Sequence, residues 1–114
     1  MTAIKRGEIY LVDFTPSRGS EQAGYRPALV IQNDAGNKYG NTTIVAAVST
    51  ALGKVYPFLV RLAAGQGGLE RESVVNLSQI LTIDKGRLQR KLGALSHDKM
   101  AEVDKAVMVS LALY

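Results

Sequence analysis

Residues 96–114 read SHDKMAEVDKAVMVSLALY, and this stretch reads differently from everything before it. Met100, Val103, Val107, Leu111 and Tyr114 recur at three- and four-residue spacing, which gathers them on one face of a helix. Ser96 is a natural N-cap, because its hydroxyl can accept from the orphan amides of the first turn. The spacing predicts an amphipathic helix over 96–114. Working back from it, the chain reads as short strands, so one helix closing a run of strands makes the fold mainly β with a C-terminal helix, an α+β arrangement.

Ile80 to Ile83, Ser73 to Leu77 and Phe58 to Leu62 are rich in β-branched and apolar residues and read as short strands, the last two separated by Gly65, Gly67 and Gly68. A Gly53-Lys54 turn precedes them. Thr42 to Thr50 is an almost continuous β-branched and small apolar run, the pattern of a central strand. Asn33, Asp34, Gly36, Asn37, Gly40 and Asn41 mark a loop before it. Arg26 to Gln32 is a further strand, with Pro27 biasing Arg26 toward an extended backbone at a loop-to-strand junction. Glu8 to Phe14 is the first strand, apolar at both parities and stopped by Thr15-Pro16. Between them, Ser17 to Tyr25 is a long polar loop, a kind of connection that is often functional. These elements predict one domain over residues 1–114, a small antiparallel barrel with the helix packed across it.

The composition narrows what such a domain can do. With 114 residues, 46% hydrophobic and 21% charged, the chain is that of a single folded domain that can bury roughly 65% of its unfolded surface. There is no cysteine, which rules out a disulfide framework or thiolate metal site and suggests the reducing cytoplasm. No export signal is visible, since Glu8 and Asp13 break the apolar run behind Lys5 and Arg6. Nor is there a membrane-length apolar run. Fourteen Lys and Arg against ten Asp and Glu give a net charge of +4, compatible with a polyanionic partner. The cations cluster twice: Arg18 and Arg26 bracket the polar loop, and Lys85, Arg87, Arg90 and Lys91 fall in one short stretch.

With one histidine, His97, and no cysteine, the chain lacks a Cys-His pair, a histidine zinc triad and a two-histidine ribonuclease scheme. His97 reads as a solvated first-turn residue of the helix. The carboxylates show no tight metal-ligand spacing, so no metal or other cofactor is expected. What remains is chemistry carried by arginine, hydroxyls and one acid. RNA cleavage can run on these, because the substrate supplies its own 2′-OH nucleophile and the enzyme positions it and stabilises the charged phosphorane. A guanidinium suits that task, and Arg26 sits on the more rigid platform of a strand start. Thr50, closing the third strand, could hold a phosphate oxygen or relay a proton.

Arg6-Gly7-Glu8-Ile9-Tyr10, Gly19-Ser20-Glu21-Gln22, Gly24, Arg26-Pro27, Val30-Ile31-Gln32-Asn33-Asp34, Ile44-Val45-Ala46-Ala47, Gln79 and Thr82-Ile83-Asp84-Lys85 together resemble the MazF/PemK toxin signature. The likeness is ordered and spans nearly the whole chain. It implies a dimeric, SH3-like β-barrel with a C-terminal helix. It also implies cleavage of single-stranded RNA, with messenger RNA the expected substrate, without metal, to 2′,3′-cyclic phosphate and 5′-hydroxyl ends. The catalytic arginine falls on Arg26 and the catalytic threonine on Thr50, with Glu21 assisting proton transfer. Ser20 and Gln22 of the loop, Asn33 and Gln79 are the implied RNA contacts, supplemented by Arg18 and Lys85 from the basic clusters. An acidic antitoxin that folds onto the toxin is the implied protein partner.

Where relatives often read Glu-Gln-Ile-Arg-Thr-Ile, this chain has Ser78-Gln79-Ile80-Leu81-Thr82-Ile83, which leaves the cleavage sequence open. Two rival readings remain at this point. Toxins of the same fold bind DNA gyrase and cleave nothing, and an inactive RNA-binding regulatory module could keep both the fold and the basic surface.

Overall fold

In the computed structural model, which describes residues 3–14, 24–50 and 53–114, β3 (Thr42–Ser49) is an interior strand as its apolar run predicts. It pairs antiparallel with β2 (Tyr25–Val30) on one side and β5 (Ser73–Asp84) on the other. The remaining strands, β1 (Glu8–Asp13), β4 (Leu59–Leu62) and β6 (Leu88–Ala94), complete a six-stranded antiparallel sheet of order β4-β5-β3-β2-β1-β6.

Successive side chains of a strand point to opposite faces, and the interior strands are apolar on both. One face gathers Ile9, Leu29, Ala46, Val75 and Leu77 beneath α2 (His97–Leu111), which contributes Val103 and Ala106. The other face gathers Tyr10, Val12, Ala28, Val30, Val45 and Ile83. The apolar residues at both parities of the first strand thus feed two cores. Each fully buried Val, Leu or Ile contributes about 1.5–3 kcal/mol.

Among the described residues the hydrogen-bonded ladder does not close into a barrel. Strands β4 and β6 are its two edges, and the gap between them is filled by the glycine turn after β4. Gly65 opens a 3-10 turn, Gln66–Gly68, and Gly68 has φ +77°. A Cβ on Gly68 would lie 1.8 Å from the carbonyl oxygen of Leu92, and one on Gly93 would lie 2.5 Å from the carbonyl carbon of Gly67. The two edges therefore meet backbone against backbone, at a separation that admits no side chain.

The terminal helix starts as the sequence predicts: Ser96 is the N-cap, and its hydroxyl accepts from the Lys99 amide at 3.2 Å. Val103 is fully buried and Met100 and Val107 pack against the same core. Leu111 and Tyr114, expected on the same stripe, are 53% and 91% exposed. Helix α2 ends at Leu111, so the stripe runs off the chain's own core.

Two further segments differ from expectation, and a third reads in sequence only as a cluster of charge. The Asn/Gly-rich loop before β3 contains a short helix, α1 (Asp34–Tyr39), N-capped by Asn33, whose side chain accepts from the Gly36 amide at 2.7 Å. Asn37 is buried and anchors this turn: it accepts from Thr43 Oγ1 at 2.7 Å and from Gln32 Nε2 at 3.0 Å, and donates to the Gln32 carbonyl. The two strands expected over 73–83 are one strand, β5, interrupted by a bulge. Ala47 faces Asn76 while Ala46 faces Ile80, so residues 77–79 are extra. Finally, the basic stretch after Asp84 is a 3-10 turn, Lys85–Arg87, followed by β6. There Lys and Arg suit an edge strand.

Glu8 is the buried charge that ties β6 to β1. Its carboxylate is 2.7 Å from Lys91 Nζ and accepts from the Lys5 amide and the Tyr10 hydroxyl. Burial works to raise its pKa, but the donors from Lys91, Lys5 and Tyr10 outweigh burial and hold it below its ordinary value of 4.5. A depressed carboxylate contributes stability that is complete above its unfolded pKa and lost as pH falls through the folded one. Glu8→Gln is therefore expected to lower the urea midpoint near neutrality and to flatten its decline below about pH 4.5. An unchanged acid limb in the variant would assign that decline to other carboxylates.

Candidate functional site

Strand β2 begins with Tyr25-Arg26-Pro27, and both Tyr25 and Arg26 are exposed. The β2–β3 ladder pairs Ala28 with Ala47. Extending that register by two residues sets Arg26 across from Ser49, where β3 ends. Thr50 is the next residue. On the other side of β3, Ser49 pairs with Val74 at the start of β5. Three strand ends thus converge, and between them lies a groove of about 440 Å³. Its polar wall is Arg26, Ser49, Thr50, Glu70, Arg71 and Ser73, over Pro27, Val48 and Leu69.

Every polar wall residue is backbone-anchored at or beside a strand terminus, which fixes its position better than a free loop would. The Ser73 hydroxyl donates to the Arg71 carbonyl at 2.8 Å, bracing the turn that presents Arg71. Glu72 faces away to Arg61, at 3.8 Å. Among the described residues the groove therefore offers two guanidiniums, one carboxylate and, since the Ser73 proton is already engaged, the hydroxyls of Ser49 and Thr50 as donors. Paired guanidiniums match the oxygens of a phosphodiester, and hydroxyls can donate to the oxygens that the arginines leave open.

The sequence reading paired Arg26 with Thr50, and the structure brings both to this groove. It missed Glu70 and Arg71. Their signal was available: a Glu-Arg-Glu run between a glycine turn and a strand is the same loop-to-strand junction that singled out Arg26. Arg18, Ser20, Glu21 and Gln22 lie outside the described residues. Gln79 is exposed within the β5 bulge, away from the groove lining. Lys85 lies elsewhere too. It donates through Nζ to the Asn37 carbonyl and borders a separate hollow of about 850 Å³ with Tyr10, Asn41 and Lys91.

Asn33 is exposed, outside the groove lining, and engaged as the cap of α1. Capping and base contact can be separated, because aspartate caps as well as asparagine but carries no amide donor. Asn33→Asp is expected to retain the thermal midpoint, whereas Asn33→Ala should lose about 1 kcal/mol. Any change of cleavage sequence in Asn33→Asp then reports base reading. An unaltered cleavage pattern would reduce Asn33 to a cap.

Among the described residues, no group of three or more His, Asp or Glu is placed to share a metal ion, and no helix is long and apolar enough to cross a membrane.

Comparison with known proteins gives the family and the fold. The chain is 49% identical over 111 residues to a protein named endoribonuclease MazF from Staphylococcus epidermidis, covering 96% of this chain and 92% of the relative. Among solved structures, a MazE-MazF crystal structure from Deinococcus radiodurans matches with a TM-score of 0.82 at 29% identity, over the full length of both chains. A mycobacterial endoribonuclease in complex with its cognate antitoxin has the same fold, with a TM-score of 0.83 at 23% identity over 98% of each chain. Residues 5–111 match the family described as PemK-like, MazF-like toxin of type II toxin-antitoxin system. The chain belongs to the PemK-like, MazF-like family of toxins.

Proposed function

We propose that this protein is the endoribonuclease toxin of a toxin-antitoxin pair, cutting single-stranded RNA at short sequences without a metal ion. The observation that carries this reading is the convergence of Arg26 and Thr50 on one groove at the strand ends. In the proposed step, the ribose 2′-OH attacks the adjacent phosphorus and the bond to the 5′-oxygen breaks. The 5′-oxygen takes a proton from solvent water as it leaves, so the products are a 2′,3′-cyclic phosphate and a 5′-hydroxyl. Arg26, joined by Arg71, neutralises the charge that builds on the non-bridging oxygens, and Thr50 donates to one of them. Glu21 takes up the 2′-OH proton, an assignment that full activity of Glu21→Gln would remove.

Two partners belong to this reading. A basic groove is a natural target for an acidic antitoxin segment that folds on binding. A second copy of the chain would cover Leu81, Met108, Val109, Leu111 and Leu113, all exposed in the single chain, as a homodimer. Inhibition of translation through cleavage of messenger RNA follows as the cellular effect.

The test is incubation of the purified protein with a long single-stranded RNA in excess EDTA, followed by mapping of both new ends. Discrete cuts with cyclic phosphate ends are expected. Intact RNA across substrates that cover most short sequences would overturn the reading in favour of a gyrase-binding or regulatory module.

A further inference from the structure

Glu70 lines the groove together with Arg26 and Arg71, and its charge has the wrong sign for a phosphate. Its placement is nevertheless well anchored. Leu69, buried beside it, donates its amide to the Gln66 carbonyl at 3.1 Å, and the Leu69 carbonyl accepts from the Gly65 amide at 2.7 Å. On the other side Ser73 is buried and enters β5 facing Leu62. Glu70 and Arg71 are held between those two anchors, whereas Glu72, the other acid of the run, turns to Arg61. The Glu70 carboxylate is therefore a fixed part of the groove wall, although it is exposed.

A carboxylate weakens the binding of any anion, in proportion to the charge that the anion carries. An internal phosphodiester carries one negative charge. A phosphomonoester carries close to two at neutral pH, because its second ionisation falls near pH 6. Two guanidiniums alone would favour the more highly charged ligand. Among the described residues they stand against one carboxylate, which leaves the wall one net positive charge, the counterpart of a single phosphodiester. Glu70 thus removes much of the dianion's advantage, and the dianion also gives up more hydration on entering. Ser49 and Thr50 supply donors that add no charge and serve either ligand.

We infer that Glu70 is the residue by which the groove selects an internal phosphodiester over a phosphomonoester. Its repulsion keeps inorganic phosphate, mononucleotides and phosphorylated RNA ends from occupying the two arginines, a discrimination built from an unfavourable contact with the wrong ligand. The inference rests on the nuclease reading.

The test measures inhibition of the cleavage of a short RNA by two competitors, a nucleoside 3′-monophosphate and an uncleavable 2′-deoxy dinucleoside phosphate. Wild type is compared with Glu70→Gln, which keeps the shape without the charge, and Glu70→Asp, which keeps the charge. Each competitor is compared with itself across the variants, so the contribution of its bases cancels. Glu70→Gln is expected to tighten inhibition by the diester about threefold and by the monoester about tenfold, the effect per ligand charge of removing one exposed charge a few ångströms away. Glu70→Asp should retain the wild-type ratio of the two inhibition constants. Equal tightening of both competitors, no change in either, or weaker inhibition in Glu70→Gln would overturn the selection while wild-type cleavage left the nuclease reading intact. Failure of wild type to cut any RNA would overturn both.

Discussion

Arg26→Ala is expected to slow single-turnover RNA cleavage by about a hundred- to a thousandfold, the usual cost of removing one preorganised donor to transition-state charge. The effect should fall on the chemical step, because the phosphorane carries more charge than the ground-state phosphodiester and gains more from a guanidinium held at a strand start. Arg26 is exposed, and a urea midpoint measured on the same variant separates loss of the chemical step from loss of the fold. Arg26→Lys should recover only part of the rate, since an ammonium cannot pair two phosphate oxygens in one plane. If Arg71 shares the same charge from the facing wall of the groove, Arg26→Ala and Arg71→Ala will be non-additive. Cleavage by Arg26→Ala within a few fold of wild type would sink the catalytic assignment, and the identity of the phosphate-binding groove with it.

That this groove could be anticipated at all follows from where its residues sit. Arg26 stands out in sequence because Pro27 follows it at a strand start, and Thr50 because it closes an unbroken β-branched run. Glu70 and Arg71 did not, because the contact that places them opposite Arg26 runs through β3 and the register of two ladders, which no local pattern encodes. The same holds for the fold. Strands β1, β2 and β3 were legible as short apolar, β-branched runs buried on both faces, and helix α2 by the 3.6-residue period of its apolar residues. Helix α1 was not. Its Asn, Asp and Gly favour turns locally, and the helix persists through the tertiary bonds of buried Asn37. Strand β6 was hidden by its charges: an edge strand with only Leu88 and Leu92 turned toward the cores carries lysine and arginine elsewhere. The β5 bulge appeared as a gap between two strands because Ser78 and Gln79 interrupt the apolar run, which is the local signature of residues left without a partner.

Gly68→Ala should cost more stability than any substitution in the groove, roughly 3 kcal/mol or more. Two costs combine. The backbone at Gly68 has φ +77°, a conformation that penalises an L side chain by about 1–2 kcal/mol. In addition, the new Cβ would sit 1.8 Å from the Leu92 carbonyl oxygen, which is covalent range and not packing range. Relief requires the glycine turn and β6 to separate. Yet that seam brings the two unpaired edges of the sheet together, and Ile9 and Leu95 pack against Gly67 within it. Gly65 provides the control, because it too has positive φ, at +96°, but an added Cβ there meets nothing within 4 Å. Gly65→Ala should lose only the backbone cost, about 1–2 kcal/mol. The difference between the two variants in urea unfolding isolates the clash from the strain. Equal losses would mean that the seam between β4 and β6 opens at little cost, and that the sheet does not depend on it for closure.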